Sequence, residues 1–191
     1  AIISADESRP VTRLPGQRPA SVAVSVPDAA AHHPLSCWQP TPGCAGQFLA
    51  RLEWLAGRQG LDLPGLGPGS WRALLEAGLL DEGLLAWMRL TPRELAQVSG
   101  IRAKPLLEGA ELARRRPFAR WLKALGMPPG IRLVETDDWQ GLAARSFAEW
   151  REQQGLGAQR ARQAHGFFQH PPVRTLAVQL GASGVDGFFE D

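Results

Sequence analysis

The hydrophobic and polar positions of the chain repeat as a unit of two amphipathic segments joined by a glycine-containing turn. Residues 45–57 carry apolar side chains at helical spacing, with polar and charged side chains between them. An apolar stretch then reaches a turn at residues 65–67, and Pro68 opens a second segment of helical period. Because a proline at the first helical position loses no hydrogen bond, the pattern predicts a helix, a turn and a second helix.

The same unit occurs at residues 91–108 and 147–168, where a short helical segment, a turn and a longer helical segment follow one another. The three turns begin 35 and 55 residues apart, so an eroded fourth copy is expected in the long gap, at residues 125–130. A unit that recurs about every 27–35 residues is typical of a helical array. Because no segment is long enough to be stable alone, we expect a mainly α fold of about four tandem repeats, one or two of them degenerate, with one shared core.

Each turn combines two features that suit the binding of an anion. Glycines in these turns, such as Gly65, Gly67 and Gly157, permit a positive φ, so we expect the backbone to reverse there. The turn leads into a helix N-terminus, where free N–H groups and the positive end of the helix dipole attract a phosphate. This is the pattern of a helix–hairpin–helix motif, which holds DNA phosphates. A single copy is explained equally well as an ordinary glycine-rich turn, and the repetition favours the motif.

The candidate DNA-binding residues belong to the three intact turns and to the basic positions beside them. Their N–H groups and positive charges are expected to hold phosphates: Gly65, Leu66, Gly67, Gly100, Ile101, Arg102, Lys104, Gly155, Leu156, Gly157, Arg160 and Arg162. The basic run at residues 114–116 is explained equally well as a solvated helix end or as a phosphate contact. The tryptophans mostly fall on apolar helix faces, so we expect them in the core and not stacked on bases.

Further helix signals connect the repeats. A helix is expected to begin at Pro92, with Thr91 as its N-cap. Glu94 is placed to complete a capping box with Thr91. Additional helical segments are expected over residues 81–87, 103–115, 118–125, 139–150 and 171–184. The first of these begins with an acidic residue, which suits a helix N-terminus.

Composition is that of a globular protein and says little about the partner. Of the 191 residues, 44% are hydrophobic and 21% are charged, and the net charge is +2. The basic residues are nearly all arginine, with Lys104 and Lys123 as the only lysines. Arginine matches phosphate geometry, but a genome rich in G and C produces the same bias. No apolar run is long enough to span a membrane and no signal peptide is visible, so we expect a cytoplasmic protein without a membrane partner.

The cysteines raise the question of a metal site. Cys37 and Cys44 follow His32 and His33, and these four residues are the types that ligate zinc. The spacing is longer than that of compact zinc sites, so a local turn is the preferred explanation. Two cysteines in a chain of this length are typical of a reducing compartment, and we expect no disulfide framework.

No catalytic constellation is visible. The sequence contains no Walker-type phosphate loop and no H-E-x-x-H metal motif. Asp137 and Asp138 are adjacent, so their side chains do not face each other, and no histidine is accompanied by a suitable nucleophile and a third orienting group. We therefore expect no catalytic residue, and the chain alone should be inactive.

From residue 37 onwards the chain resembles the C-terminal part of bacterial NAD-dependent DNA ligases, and it is most similar to their ligase B branch. The resemblance rests on residues 44–52, 61–67, 116–126 and 155–161, of which 116–126 is the most specific match. The chain departs from the family at Arg102, where glycine is usual, and in the third hairpin, which has no G-x-G.

The resemblance implies three regions. Residues 1–34 would be a linker or the end of an OB-fold, residues 35–60 a degenerate zinc-finger-like segment with a connecting helix, and residues 61–191 a helix–hairpin–helix DNA-binding domain. Within the first region, residues 22–26 alternate as a strand would.

The resemblance also implies a function. The partner would be nicked duplex DNA, bound without sequence specificity by an enzyme that seals nicks in replication and repair. NAD would serve an adenylation domain outside this chain, so we expect no cofactor here, and zinc is not expected because two of the usual four cysteines remain. The alternative is a helical protein-interaction module with degenerate hairpins, which the modest net charge favours.

Overall fold

The computed structural model describes residues 32–188, in which helices alternate with short turns and loops. In chain order the α-helices are α1 (Ala45–Ala56), α2 (Pro68–Glu76), α3 (Pro92–Leu95), α4 (Ala103–Arg114), α5 (Phe118–Ala124), α6 (Trp139–Ala144), α7 (Phe147–Arg151), α8 (Ala158–Gln169) and α9 (Pro171–Ala182). No residue between 32 and 188 belongs to a strand, and the predicted mainly α fold is confirmed. The predicted strand at residues 22–26 lies outside the described residues. None of the helices in the described range has the length and apolarity needed to cross a membrane.

Helix starts follow the sequence signals closely. Pro68 is the first residue of α2, as expected. At the start of α3, the Glu94 N–H donates to Thr91 Oγ1 at 3.2 Å, and the Thr91 N–H donates to Glu94 Oε1 at 3.0 Å. This reciprocal pair confirms the predicted capping box.

The predicted helix at residues 81–87 is wrong. Gly83 has a φ of 122°, which interrupts any helix there, and a 3-10 helix at Ala86–Arg89 follows instead. Consecutive apolar residues from Leu84 to Met88 are all buried. A segment buried on every side has no polar face, so the amphipathic pattern of a surface helix does not apply to it.

One apolar core extends through all the helices, so the repeats do not have separate cores. Trp71, Trp87, Trp121 and Trp150 are completely buried, which confirms that these tryptophans serve packing. Trp54 differs, because its side chain is 45% exposed and its indole N–H donates to the carbonyl of Lys123 at 2.8 Å.

The arginines after α4 have a structural role. Arg116 donates to the carbonyls of Leu61 and Asp62 at 2.7 and 2.9 Å, and Arg120 donates to the carbonyl of Gly60 at 2.7 Å. These bonds satisfy backbone acceptors in the loop between α1 and α2. A fold-stabilising contact therefore accounts for Arg116, an explanation that the sequence did not suggest.

Residues 32–44, here called the N-terminal clasp, contact both α1 and the start of α9. The His170 Nε2–H donates to the carbonyl of Leu35 at 2.8 Å. Arg51 of α1 donates to two backbone carbonyls of the clasp, each at 2.6 Å, and its guanidinium lies 3.8 Å from the centre of the Trp38 ring. Burial lowers the pKa of Arg51 to about 10, which leaves this side chain charged at neutral pH.

Candidate nucleic-acid interface

Four turns that begin with a positive-φ glycine precede or join the helices. We number them turn 1 (residues 65–67), turn 2 (residues 100–102), turn 3 (residues 130–132) and turn 4 (residues 155–157). Each begins with a glycine of positive φ, at 79°, 82°, 92° and 84° respectively. Glycine adopts this left-handed conformation at little cost, whereas other residues do so rarely. The positive φ therefore explains why glycine occupies the first position of each turn.

The third residue of turns 1, 2 and 4 is the N-cap of the helix that follows. Gly67, Arg102 and Gly157 have φ values of −136°, −102° and −71°, all with extended ψ. The expectation of a positive φ at Gly67 and Gly157 is therefore wrong, because an N-cap residue is extended and many residue types adopt that conformation. The same geometry explains how Arg102 replaces the glycine that the family resemblance leads one to expect.

The second residue of each turn anchors the turn to the core. Leu156 is buried, while Leu66 and Ile101 are partly buried against the core. A Cβ built on Gly109 of α4 would lie 2.9 Å from Leu66 Cδ1, so the absence of a side chain there gives room to Leu66. These aliphatic side chains were included among the DNA-binding candidates, but the structure turns them inward. The N–H of Leu156 also donates internally, to the carbonyl of Gln153 at 3.1 Å.

The helices that follow turns 1, 2 and 4 begin with free amide groups. Helices α2, α4 and α8 have no capping side chain and no acidic residue in the first turn. Side chains cap α3, α6 and α7, through Thr91, Asp138 and Ser146, but not α1, α5 or α9. Within residues 32–188, no acceptor pairs with the N–H groups of Gly67, Gly69, Arg102, Ala103, Lys104, Gly157, Ala158 and Gln159. Such exposed donors at a helix start attract anions.

The turns lie in two equivalent pairs. A Cβ built on Gly65 of turn 1 would lie 3.0 Å from Pro105 Cβ, and a Cβ built on Gly130 of turn 3 would lie 2.9 Å from Arg160 Nη1. Pro105 and Arg160 are each the third residue of the helix that follows the partner turn. Turn 1 therefore packs on the start of α4, and turn 3 packs in the same way on the start of α8.

The sequence misplaced turn 3. We expected an eroded copy within residues 125–130, but the turn begins at Gly130 and continues through Ile131 and Arg132. The three residues repeat the Gly-Ile-Arg of turn 2, and this identity is the signal that a search for G-x-G overlooks. No helix follows directly, because α6 begins only at Trp139. Turn 3 therefore lacks the free helical amides of the other three.

The candidate basic side chains lie at the starts of α4 and α8. Arg102 and Arg162 are exposed, and Lys104 is exposed with its ammonium 3.9 Å from Glu108. Arg160 extends across Gly130 and so connects turn 3 with α8. Since an exposed pair such as that of Lys104 contributes little to stability, the lysine is available to another anion.

Comparison with known proteins finds relatives of this chain among DNA ligases. No protein-family model matches it. A DNA ligase B of Pseudomonas fluorescens (strain Pf0-1) is 51% identical over 168 residues, which is 86% of this chain and 30% of that protein. A DNA ligase B of Pseudomonas putida (strain W619) is 43% identical over 166 residues, which is 85% of this chain and 29% of that protein.

The chain is a homologue of DNA ligase B. The resemblance inferred from the hairpin segments is thereby confirmed. The chain spans less than a third of the length of either ligase B relative, so the activity of a complete ligase B enters only as a proposal.

The N-terminal clasp of this ligase B homologue contains a disulfide. Cys37 and Cys44 are bonded to each other, with their Cα atoms 5.2 Å apart, and His32 lies within 4.8 Å of both sulfur atoms. The expectation drawn from the cysteine count did not include this bond. Gly43, with a φ of 85°, reverses the chain and brings the two cysteines together. Zinc binds thiolates, and a disulfide offers none, so with this bond in place these residues do not fit a zinc site of the kind that the ligase family usually carries.

Proposed function

We propose that this chain is the duplex-binding part of a bacterial, NAD-dependent ligase B that seals nicks in DNA. In this proposal the turns hold phosphates of the DNA backbone, and the chain acts as a monomer in the cytoplasm. NAD would be used by a part of the enzyme outside residues 1–191. The homology to ligase B supplies the general role, and the turns supply the means of binding.

The uncapped starts of α2, α4 and α8 are the observation that carries the proposal. Side chains cap α3, α6 and α7, whereas α1, α2, α4, α5, α8 and α9 have no capping side chain. Among the uncapped helices, α2, α4 and α8 are the ones that directly follow one of the numbered turns, each of which begins with a positive-φ glycine. Free N–H groups at a helix start are satisfied by water or by an anion. A phosphodiester matches several such donors at once, and contacts of this kind position a protein on DNA without reading its sequence.

Five basic side chains near the turns supply charge. They are Arg102, Lys104, Arg132, Arg160 and Arg162. If each neutralises one phosphate, the logarithm of the binding constant should fall with the logarithm of salt concentration with a slope of about −4 to −5. Duplexes of unrelated sequence should bind with similar affinity, because amides and guanidinium groups that contact phosphates carry no base preference.

The sharpest test adds a cap where the chain has none. Gly157 is an extended N-cap, and a Cβ there would meet no atom within 4 Å, so serine fits. In Gly157→Ser the hydroxyl should accept a hydrogen bond from a free amide of α8, which stabilises the helix by about 1 kcal/mol relative to Gly157→Ala. The same bond removes a donor from the DNA, so binding of a nicked duplex should weaken about five- to tenfold relative to Gly157→Ala.

Fluorescence anisotropy with a labelled nicked duplex measures the affinity, and urea unfolding measures the stability. The opposite directions of the two effects separate a lost phosphate contact from a damaged fold. If Gly157→Ser and Gly157→Ala bind the duplex equally tightly, the amides of α8 do not hold DNA.

A protein-interaction module is the second candidate, and one observation favours it. A groove of about 590 Å³ lies between α6 and α9, lined by small residues including Ala143 and Ala177. Val178 at its edge is 72% exposed, which is unusual for a large aliphatic side chain. If the parent chain binds no duplex at low salt, this face becomes the better explanation of the domain.

A further inference from the structure

Two arginines cross the contact between turns 3 and 4 in opposite directions. The Arg160 side chain, which begins on α8, lies over the backbone of Gly130 in turn 3. In the other direction, Arg132 of turn 3 donates from Nη2 to the carbonyl of Gln154, immediately before turn 4, at 2.9 Å. Gln153 Nε2 also donates to the carbonyl of Gly130 at 3.0 Å and holds the two turns together.

The absence of a side chain on Gly130 makes this arrangement possible. A Cβ at that position would lie 2.9 Å from Arg160 Nη1 and 3.3 Å from Arg160 Cδ. Any other residue would displace the arginine from the face of the turn. The positive φ of 92° excludes most other residues for a separate reason, so the backbone and the arginine impose the same requirement.

Neither arginine is neutralised within the described part of the chain. Among residues 32–188, no carboxylate forms an ion pair with Arg132 or Arg160, and both side chains are exposed. Other arginines in the same range do pair with an acid, such as Arg145 with Asp137 at 3.4 Å. A carbonyl acceptor orients a guanidinium but leaves its charge intact. Both guanidinium groups therefore keep their full charge and can pair with an external anion.

The equivalent place in the other pair of turns has no charge. Pro105 occupies the position on α4 that Arg160 occupies on α8, and it packs on Gly65. That pair has two helices with free amides, α2 and α4, whereas the second pair has only α8. The second pair thus lacks one set of backbone donors and has two guanidinium groups in their place.

We propose that Arg132 and Arg160 form a binding site for a DNA phosphodiester at the contact between turns 3 and 4. The proposal rests on the proposed function, and it identifies turn 3 as a DNA contact of a different chemical kind from turns 1, 2 and 4. Guanidinium groups match the oxygens of a phosphate with two parallel N–H donors each. The backbone phosphodiester is the ligand in this proposal, because it carries the negative charge that two guanidinium groups match.

The test compares single charge-neutral substitutions on the full 191-residue chain. Arg132→Gln and Arg160→Gln should each weaken binding of a nicked duplex about tenfold, and each should reduce the salt slope by about 1. Arg174→Gln is the matched control, because Arg174 is an exposed arginine of α9 whose guanidinium contacts Gln169 at 2.9 Å, away from all four turns. It removes the same charge from the molecule and should change affinity less than twofold. Arg160→Lys should lose part of the affinity but keep the parent salt slope, since the charge remains.

Circular dichroism and urea midpoints establish that the variants are folded. If Arg160→Gln fails to fold, Arg132→Gln and Arg160→Lys decide the question, because neither removes the charge that lies over Gly130. The site is wrong if the parent binds duplex while Arg132→Gln and Arg160→Gln behave like Arg174→Gln. If the parent itself binds no duplex, both the site and the proposed function are wrong. The duplex affinity of the parent chain therefore distinguishes a wrong site from a wrong function.

Discussion

The two pairs of turns share one packing contact but differ in the groups that they offer to a phosphate. In the first pair, turn 1 packs its glycine on Pro105, and in the second pair, turn 3 packs its glycine on Arg160. Both contacts place a positive-φ glycine against the third residue of the partner helix. The first pair then offers backbone amides from two helices, and the second offers amides from one helix together with two guanidinium groups. The comparison teaches that the geometry of a hairpin is set by a glycine and an aliphatic residue, while the groups that face the solvent are free to vary.

The largest expected effect tests whether the two pairs share one cooperative core. Trp71 packs in the first pair against Trp87, with ring centroids 5.5 Å apart, and Trp150 stacks in the second pair on Phe168, at 5.4 Å. Trp71→Ala and Trp150→Ala should each lower the free energy of unfolding by about 3–5 kcal/mol, because each leaves a large cavity. Urea unfolding followed by circular dichroism should give a single transition in both variants.

The phenylalanine variants are the controls for this prediction. Neither indole N–H has an acceptor within residues 32–188, so Trp71→Phe and Trp150→Phe lose no hydrogen bond and should cost much less than the alanine variants. Two separated transitions in Trp71→Ala would show that the pairs unfold independently, which would contradict the continuous core.

The next largest effect concerns the glycines that begin turns 1 and 3. Gly65→Ala should destabilise by about 2–4 kcal/mol, because it adds a left-handed alanine and a close contact with the rigid Pro105 ring. Gly130→Ala incurs the same backbone cost but meets the movable end of Arg160, so about 1–2 kcal/mol is expected. Thermal and urea unfolding measure the difference. Equal losses in the two variants would show that the contact with Pro105 is no tighter than the one with Arg160.

A smaller effect on stability is expected at α3 and α7, the short helices that precede turns 2 and 4. Ser146 caps α7 through the Glu149 N–H at 3.1 Å, as Thr91 caps α3. Thr91→Ala and Ser146→Ala should each cost about 1 kcal/mol, since each removes the oxygen of a capping box. The duplex affinity should stay near that of the parent, because neither cap belongs to a helix that follows a turn. A large loss of affinity in a variant that remains folded would place α3 or α7 at the interface.

The smallest expected effect is at the third position of turns 1 and 4. A Cβ on Gly67 or Gly157 meets no atom within 4 Å, and neither residue has a positive φ. Alanine is a weaker N-cap than glycine, but it also lowers the entropy of the unfolded chain, and the two effects nearly cancel. Gly67→Ala and Gly157→Ala should therefore change stability by less than about 0.5 kcal/mol in urea unfolding. A loss near that of Gly65→Ala would mean that the third position is strained after all.

The sequence predicted helices better than it predicted the chemistry of the turns. Proline at the start of α2 and the capping box at Thr91 are local signals with local causes, and both appear in the structure. The expected positive φ at the third residue of turns 1 and 4 was wrong. Glycine can adopt a positive φ, but the sequence does not show whether it does so in the folded chain. Only the packed structure shows that Gly157 is an extended N-cap.

Turn 3 was misplaced for a related physical reason. The search used G-x-G, yet the common element of the four turns is a glycine followed by leucine or isoleucine, here Leu66, Ile101, Ile131 and Leu156. That residue enters the core, and burial is not visible in a local pattern. The contact of Arg160 with Gly130 and that of Arg116 with Leu61 join residues distant in sequence, so no periodicity announces them.

The N-terminal clasp has a mechanical consequence. The bond from His170 to Leu35 and the bonds from Arg51 tie the chain at residue 35 to elements on both sides of the fold. A pulling force applied upstream of residue 32 would load these bonds before it reached α1. The four turns would thus experience no tension along the chain until the hydrogen bonds of the clasp had broken.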